Sequence, residues 1–272
     1  MPCPPGHPLD PAALHRAFET TYPLSWSHTP LSVAEISRLH GGPATRRSLQ
    51  LLEQAAAVEP TVTNQFLDSL PLGTSPYQLD RRVKSPESLA RKIVDWEIAG
   101  QSRPINDLLR YTVLTESPDE LVAAACRAVD ALNDHGWRVG SAMHSYTEGS
   151  RYKGLHAGMA TAAGPRIEVQ FHSVASVKVK ELTTPWYEVE RSPAATAQER
   201  AEARLNCVEA SKTLKPPSGI DRLTTLGGTR VAVNNYSDFR QPSAANRSRA
   251  RQGESRTPRS TTLGQTTDGI AR

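Results

Sequence analysis

The sequence has little cysteine and no long apolar run, and each absence narrows what the chain can be. Cys3, Cys126 and Cys207 lie far apart and in no metal-ligating spacing, which excludes a disulfide framework and a zinc ribbon. No stretch reaches the roughly 18 consecutive apolar residues that a transmembrane helix needs. The opening Met-Pro-Cys-Pro-Pro-Gly-His-Pro lacks a basic stretch followed by an apolar one, so no secretory leader is expected. A reducing cytoplasm is the expected compartment, with Cys126 a buried small hydrophobe in an alanine-rich helix. A His-x-x-x-His-Asp motif, expected of a metal phosphohydrolase domain, is missing from the N-terminal third.

What remains is a chain of 272 residues, 38% apolar and 22% charged. These proportions allow one sizeable soluble domain with extensions, or two small ones. The net charge of +4 is unevenly placed. Arg247, Arg249, Arg251, Arg256, Arg259 and Arg272 stand against Glu254 and Asp268, which equals the whole excess. That tail has almost nothing large and apolar to bury, so disorder is expected, as a passive solvated segment or a weak nucleic-acid arm.

Local signals divide the rest. Asp10-Pro11 starts a helix, Ser32 with Glu35 forms a capping box for a second, and helices are expected over 44–56 and 64–70. Residues 1–79 therefore read as a helical N-terminal region. A loop over 72–80 follows. Ser85 and Pro86 then begin a helix whose apolar side is Leu89, Ile93 and Trp96. Residues 105–114 read as a strand, and Ser117 caps a helix closed by Gly136. Strands are expected over 137–146, 152–161 and 167–171, with a tight turn at 163–165. Two helices, 177–182 and 185–191, come next, then a long one capped by Thr196 and Glu199. Pro216-Pro217 is expected to end the compact part, with a short hairpin over 224–233 around Gly227-Gly228. The order predicts an α+β domain over 80–215, a small mixed sheet flanked by helices, and a flexible basic tail over 216–272.

Three groups of residues carry candidate chemistry. Lys84, Ser88 and Lys92 are spaced by four at a helix start, a span of ~11 Å, and suit phosphate oxygens. Asp107 heads an apolar strand, a position that fits a metal ligand or a plain turn residue. In 167–172, period two places Glu168, Gln170 and His172 on one face and Ile167, Val169 and Phe171 on the other. A carboxylate on that face, near Tyr152 and His156, can hold a metal or accept a proton.

Together these residues resemble the synthetase domain of the RelA/SpoT family, the makers of (p)ppGpp alarmones. The Arg-x-Lys motif with its Ser and Lys is matched by Arg82, Lys84, Ser88 and Lys92, and the metal-binding Asp by Asp107. The acceptor loop is matched by Tyr152-Lys153-Gly154-Leu155-His156, with Gly154 where the family has Ser. The Glu-Ile-Gln-Ile-Arg-Thr strand corresponds to 168–173, with His172 in the place of Arg. An element at Tyr187, Glu188 and Arg191 resembles one of small and toxin-like members. Thr112 stands where the family has an adenine-clamping Arg, and Arg110, on the same face of the strand, is placed where it could serve instead.

The resemblance implies a nucleotidyltransferase-like fold and pyrophosphokinase activity on ATP and a purine nucleotide acceptor. It implies Mg²⁺ held by Asp107 and Glu168, with Glu168 also taking the hydroxyl proton. ATP would meet Arg82, Lys84, Ser88, Lys92 and Arg110. The acceptor would meet Tyr152 (by stacking), Lys153, His156 and Gln170. Three alternatives stay open: a small alarmone synthetase, a toxin-type relative that depletes ATP or pyrophosphorylates the tRNA 3′ end, and a silent nucleotide-binding module.

Overall fold

Side-chain caps set the helix starts. Asp10 accepts from the Ala12 amide, Ser32 exchanges bonds with Glu35, and Thr196 with Glu199. In the computed structural model, which describes residues 10–26, 29–98, 100, 105–162, 164, 166–192 and 194–236, these begin helices α1 (Pro11–Phe18), α2 (Val33–His40) and, later in the chain, the helix Ala197–Lys212. Two further helices, α3 (Gly42–Ala56) and α4 (Glu59–Asp68), complete the N-terminal group. A three-residue edge strand β1 (Thr74–Pro76) lies within the expected loop, and α5 (Pro86–Ile98) follows it. The Ser88 amide donates to Ser85 Oγ at 3.2 Å, so the expected cap is present.

The sheet is built from β2 (Leu109–Thr115), β3 (Arg138–His144), β4 (Leu155–Ala160) and β5 (Arg166–Ser173), with α6 (Leu121–Asp134) between β2 and β3. Gly136, at φ 82°, lets the chain leave α6 with the Trp137 amide bonded back to the Leu132 carbonyl. The two helices expected over 177–191 are one, α7 (Val174–Arg191), continuous through Pro185, and α8 (Ala197–Lys212) packs along it.

After α8 the structure departs from the expected tail. Residues 225–226 (β6) and Thr229–Val233 (β7) form the hairpin, and β7 adds to the sheet beside β3, parallel to it. Residues 216–236 therefore belong to the fold, because Leu226 and Val231 find apolar partners that only the assembled sheet supplies. The arginine-rich segment lies outside the described residues. The strand order is β1-β2-β5-β4-β3-β7-β6, with β2/β5 and β3/β7 parallel and the other neighbours antiparallel. The fold is thus α+β, and among the described residues a mixed seven-stranded sheet is flanked by eight helices.

Tyr111, Val113, Leu155, Ala157, Met159, Ile167, Val169 and Phe171 line one sheet face and are buried, as period two requires. The core runs without a break from Leu14 and Phe18 through this face to Leu226 and Val231. Residue 79 thus marks a change from helices to sheet and not a boundary between cores. Phe66 stacks on Tyr111 at 4.7 Å between centroids, and Gln65 accepts from Trp137 Nε1 at 2.8 Å. The N-terminal helices therefore occupy the core face, which leaves the opposite face for chemistry. Cys126 is half-buried against this core and Cys207 is buried. No described helix is long and apolar enough to cross a membrane.

Candidate active site

The polar face carries the site, and register fixes its rows. Arg110 of β2, Glu168 of β5 and Gly158 of β4 lie side by side, and the next row is Thr112, Gln170 and His156. Asp107 sits two residues before β2, in coil rather than in the expected strand, at the same end as Glu168. Its two oxygens are shared between ammonium groups: Lys92 Nζ at 2.6 Å from Oδ1 and Lys84 Nζ at 3.0 Å from Oδ2. Burial alone would raise the Asp107 carboxyl, but Lys84 and Lys92 outweigh it and hold the group below its ordinary value. Burial lowers the Lys84 ammonium, and Asp107 draws it partly back. Lys92 also lies 4.6 Å from the Trp96 ring centroid, so Trp96 is a half-exposed platform for that lysine and not a core residue.

Glu168 is held differently. His156 Nδ1 lies 2.6 Å from Oε1, and Gln170 Nε2 donates to the same oxygen at 3.1 Å. Burial, the largest influence, would raise this carboxyl, yet His156, Arg110 and Gln170 together hold it far below the carboxylate range. Asp107 senses Glu168 as a neighbouring like charge, so the two acids form one site. Among the described residues no group of three or more His, Cys, Asp or Glu could hold a metal ion; Asp107 and Glu168 offer two carboxylates.

Arg82 departs from the expectation of an ATP contact. It is fully buried, with Nε 2.5 Å from Glu59 Oε1. Its other nitrogens donate to the carbonyls of Phe18, Tyr22, Pro23 and Leu79. Every donor is spent on tying the N-terminal helices to the sheet, so none is left for a nucleotide. Ser88 directs its hydroxyl to Glu87 at 3.3 Å. Lys84 and Lys92 remain at the site, and Arg110 enters no ion pair among the described residues.

On the acceptor side, Tyr152 and Lys153 lie in coil before β4, both half-buried. Burial lowers the Lys153 ammonium. The Tyr152 ring meets His156, His172 and Tyr236 edge-on at 5.5, 5.9 and 5.9 Å. Its hydroxyl lies 2.7 Å from His156 Nε2 and 2.9 Å from His172 Nε2, so the group is anchored through its oxygen as well as its ring. Sequence reasoning placed His172 on this face without a role, and it missed Lys180. Lys180, half-buried on α7, donates to Gln170 Oε1 at 3.3 Å and lies 5.8 Å from the Tyr77 ring centroid. Burial first and Arg110 second pull its ammonium down to about 8. Lysines at 178 and 180 read only as a helix surface, since nothing local says which of them turns toward the sheet. The Tyr187 element instead lies on α7 between Arg151 and Arg191, whose guanidinium carbons stand 6.0 and 5.1 Å from its ring centroid.

No protein-family model matches the chain, and no curated protein matches it at a significant level. Solved structures do match, among them three distant ones. The type VI effector Tas1, crystallised with its immunity protein, is 18% identical over 69% of this chain and 100% of its own, with a TM-score of 0.38. A GTP pyrophosphokinase family protein from Streptococcus pneumoniae is 16% identical over 66% of this chain and 87% of its own, with a TM-score of 0.36. The small alarmone synthetase 1 from Bacillus subtilis is likewise similar, at 13% identity over 66% of this chain and 92% of its own, with a TM-score of 0.36.

Proposed function

We propose that the chain is a nucleotide pyrophosphokinase: the 3′-hydroxyl of a purine nucleotide attacks the β-phosphorus of ATP, the β,γ-diphosphate is transferred, and AMP leaves. The observation that carries this reading is the meeting of Asp107, bracketed by Lys84 and Lys92, with Glu168 at one end of two parallel strands. Phosphoryl-group transfer asks a protein for cations along the phosphates, hard oxygens for Mg²⁺ and a proton acceptor at the attacking hydroxyl. This face has that inventory.

The donor set fits Mg²⁺, which is usually held by one or two carboxylates and completes its shell from water and substrate phosphates. Asp107 and Glu168 would hold it, and when bound it would offset the charge that builds on the phosphate oxygens. Lys84 and Lys92 are flexible ammonium groups resting on Asp107, and an arriving triphosphate competes for them with more negative charge. Arg110, beside Glu168 in register, contributes a further cation. Glu168 is ionised and so able to take the hydroxyl proton; its Oε1 is occupied by His156 and Gln170, and Oε2 faces no hydrogen-bond partner among the described residues. Lys153 and Lys180 stand near Tyr152 and Gln170 for the acceptor's phosphates.

The test is direct. Purified protein is incubated with ATP labelled in the β-phosphate, Mg²⁺ and, separately, GDP, GTP, AMP or tRNA. Label is expected on a nucleotide acceptor with AMP released in equal amount. Label on none of them, with ATP still bound, would make the chain a binding module.

A further inference from the structure

Gly154 is not used for backbone freedom, since its φ is not in the left-handed region. It is used for space. A Cβ on Gly154 would stand 2.7 Å from the Tyr152 hydroxyl, 2.8 Å from His156 Nε2 and 3.1 Å from His172 Cε1. The three groups it would strike are the three members of one hydrogen-bonded cluster. Where the resemblance described above breaks, at Gly154 and at His172, the two departures therefore fall on a single feature.

The protons of that cluster can be assigned from its far end. Ser176 gives its hydroxyl proton to the Ser173 carbonyl at 3.0 Å and receives the Ser173 amide at 2.9 Å, as a capping box at the start of α7. His172 Nδ1, 3.1 Å from Ser176 Oγ, is then a donor. A neutral imidazole that donates from Nδ1 has a bare Nε2, so the Tyr152 hydroxyl donates to it across 2.9 Å. The Tyr152 oxygen is left to accept from His156 Nε2–H at 2.7 Å, and His156 Nδ1 donates to Glu168 Oε1 at 2.6 Å, an arrangement that requires His156 to carry a proton on each nitrogen, as the imidazolium beside the Glu168 carboxylate. Burial and the nearby Lys180 disfavour a charge on His172, in keeping with the neutral ring at that place.

We propose that Gly154 and His172 are a matched pair, and that His172 is a positioning residue for Glu168, acting through Tyr152 and His156. The inference rests on the role given above to Glu168. The Ser176 cap fixes His172, His172 orients the Tyr152 hydroxyl, and that hydroxyl holds His156 so that its other nitrogen pins Glu168 Oε1. The remaining carboxylate oxygen is thereby presented to the substrates. Gly154 keeps the centre of the cluster open.

The experiment has two arms. In ¹⁵N-histidine spectra of the unaltered protein, His172 is expected as the Nδ1–H tautomer, whether or not the chain turns over; an Nε2–H signal for His172 overturns the proposal. In kinetics, His172→Phe and Tyr152→Phe are each expected to lower kcat about 10- to 100-fold, as loss of an outer partner does. KM for ATP and acceptor should stay within about twofold. The double variant should be no slower than either single one, because both break one chain, and Gly154→Ser should match them. Additive losses, unchanged kcat, or a loss confined to acceptor KM would each overturn the assignment. An inactive unaltered protein that still shows the Nδ1–H tautomer would sink the proposed function while leaving the cluster intact.

Discussion

The two acids of the site stand at the same end of neighbouring strands, yet they are held by opposite means. Asp107 is compensated by two lysines on long, rotatable stems, whereas Glu168 is locked by an imidazole and an amide on its own sheet. Lysine partners can be surrendered to a phosphate chain without rearranging the backbone. The imidazole cannot leave without disturbing Tyr152, His172 and the start of α7. One carboxylate is thus arranged for exchange and the other for constancy. Glu59 and Arg82 form a third pair at the far limit of the same series, fully sealed and facing no substrate.

The sharpest way to break the comparison is to remove the charge from each acid. Asp107→Asn and Glu168→Gln should each cut transfer by ~10³-fold or more, several kcal/mol of transition-state stabilisation. Only the second should also loosen the protein, because it leaves His156 without its counter-charge. Normal turnover in either variant, measured with labelled ATP and Mg²⁺, removes that residue from the mechanism.

The sealed pair should behave in the reverse sense. Arg82→Met strands Glu59 in the interior, and breaking a buried pair in this way costs about 3–5 kcal/mol of stability. A denaturant titration should show that loss, while Glu59→Leu added to Arg82→Met should recover much of it. A variant that melts normally but binds ATP poorly would return Arg82 to the site.

Next come the exchangeable partners. Lys84→Met or Lys92→Met should weaken ATP binding by about 1.5–3 kcal/mol, the worth of a hydrogen bond to a charged group, read by calorimetry with the melting temperature nearly constant. An unchanged ATP affinity would mean that these lysines serve Asp107 alone.

The smallest effect concerns pH. Burial and Arg110 depress the Lys180 ammonium to about 8, with Arg81 acting the same way and Glu168 and Glu181 opposing. The group is therefore charged below that value and increasingly neutral above it. If Lys180 meets acceptor phosphates, their contribution to binding should fall as pH rises through about 8. Lys180→Met should remove that dependence; an identical profile in the variant would exclude the contact.

The features legible in the sequence were those whose causes are local. Ser32 with Glu35, Thr196 with Glu199 and Gly136 announce helix ends because cap and helix are within a few residues of each other. The alternation through 167–171 announces a strand with a core face for the same reason. Arg82 was misjudged because its burial is caused by Glu59 and by carbonyls of the first helical segment, far away in the chain. Its side chain looks no different from one that meets phosphate. Continuity of α7 through Pro185 was likewise hidden, since neighbouring α8 and not local propensity supports it. Within the site, Asp107, Glu168 and the two lysines could be named beforehand. The bond from Tyr152 to His172 could not, because it joins coil to strand across the sheet.

The place of β7 has a consequence for how the molecule is made. It lies beside β3 although its paired residues, such as Val231 and Ala142, are 231 − 142 = 89 positions apart, about the length of a small domain. A ribosome delivers β3 long before the strand that covers it. During that interval the backbone donors and acceptors of β3 are open toward solvent, an edge of the kind that pairs with other chains. Leu226 and Val231, buried at the end, are then the closing stitch of synthesis, and a nascent chain halted at Lys215 would present an uncovered strand to its neighbours.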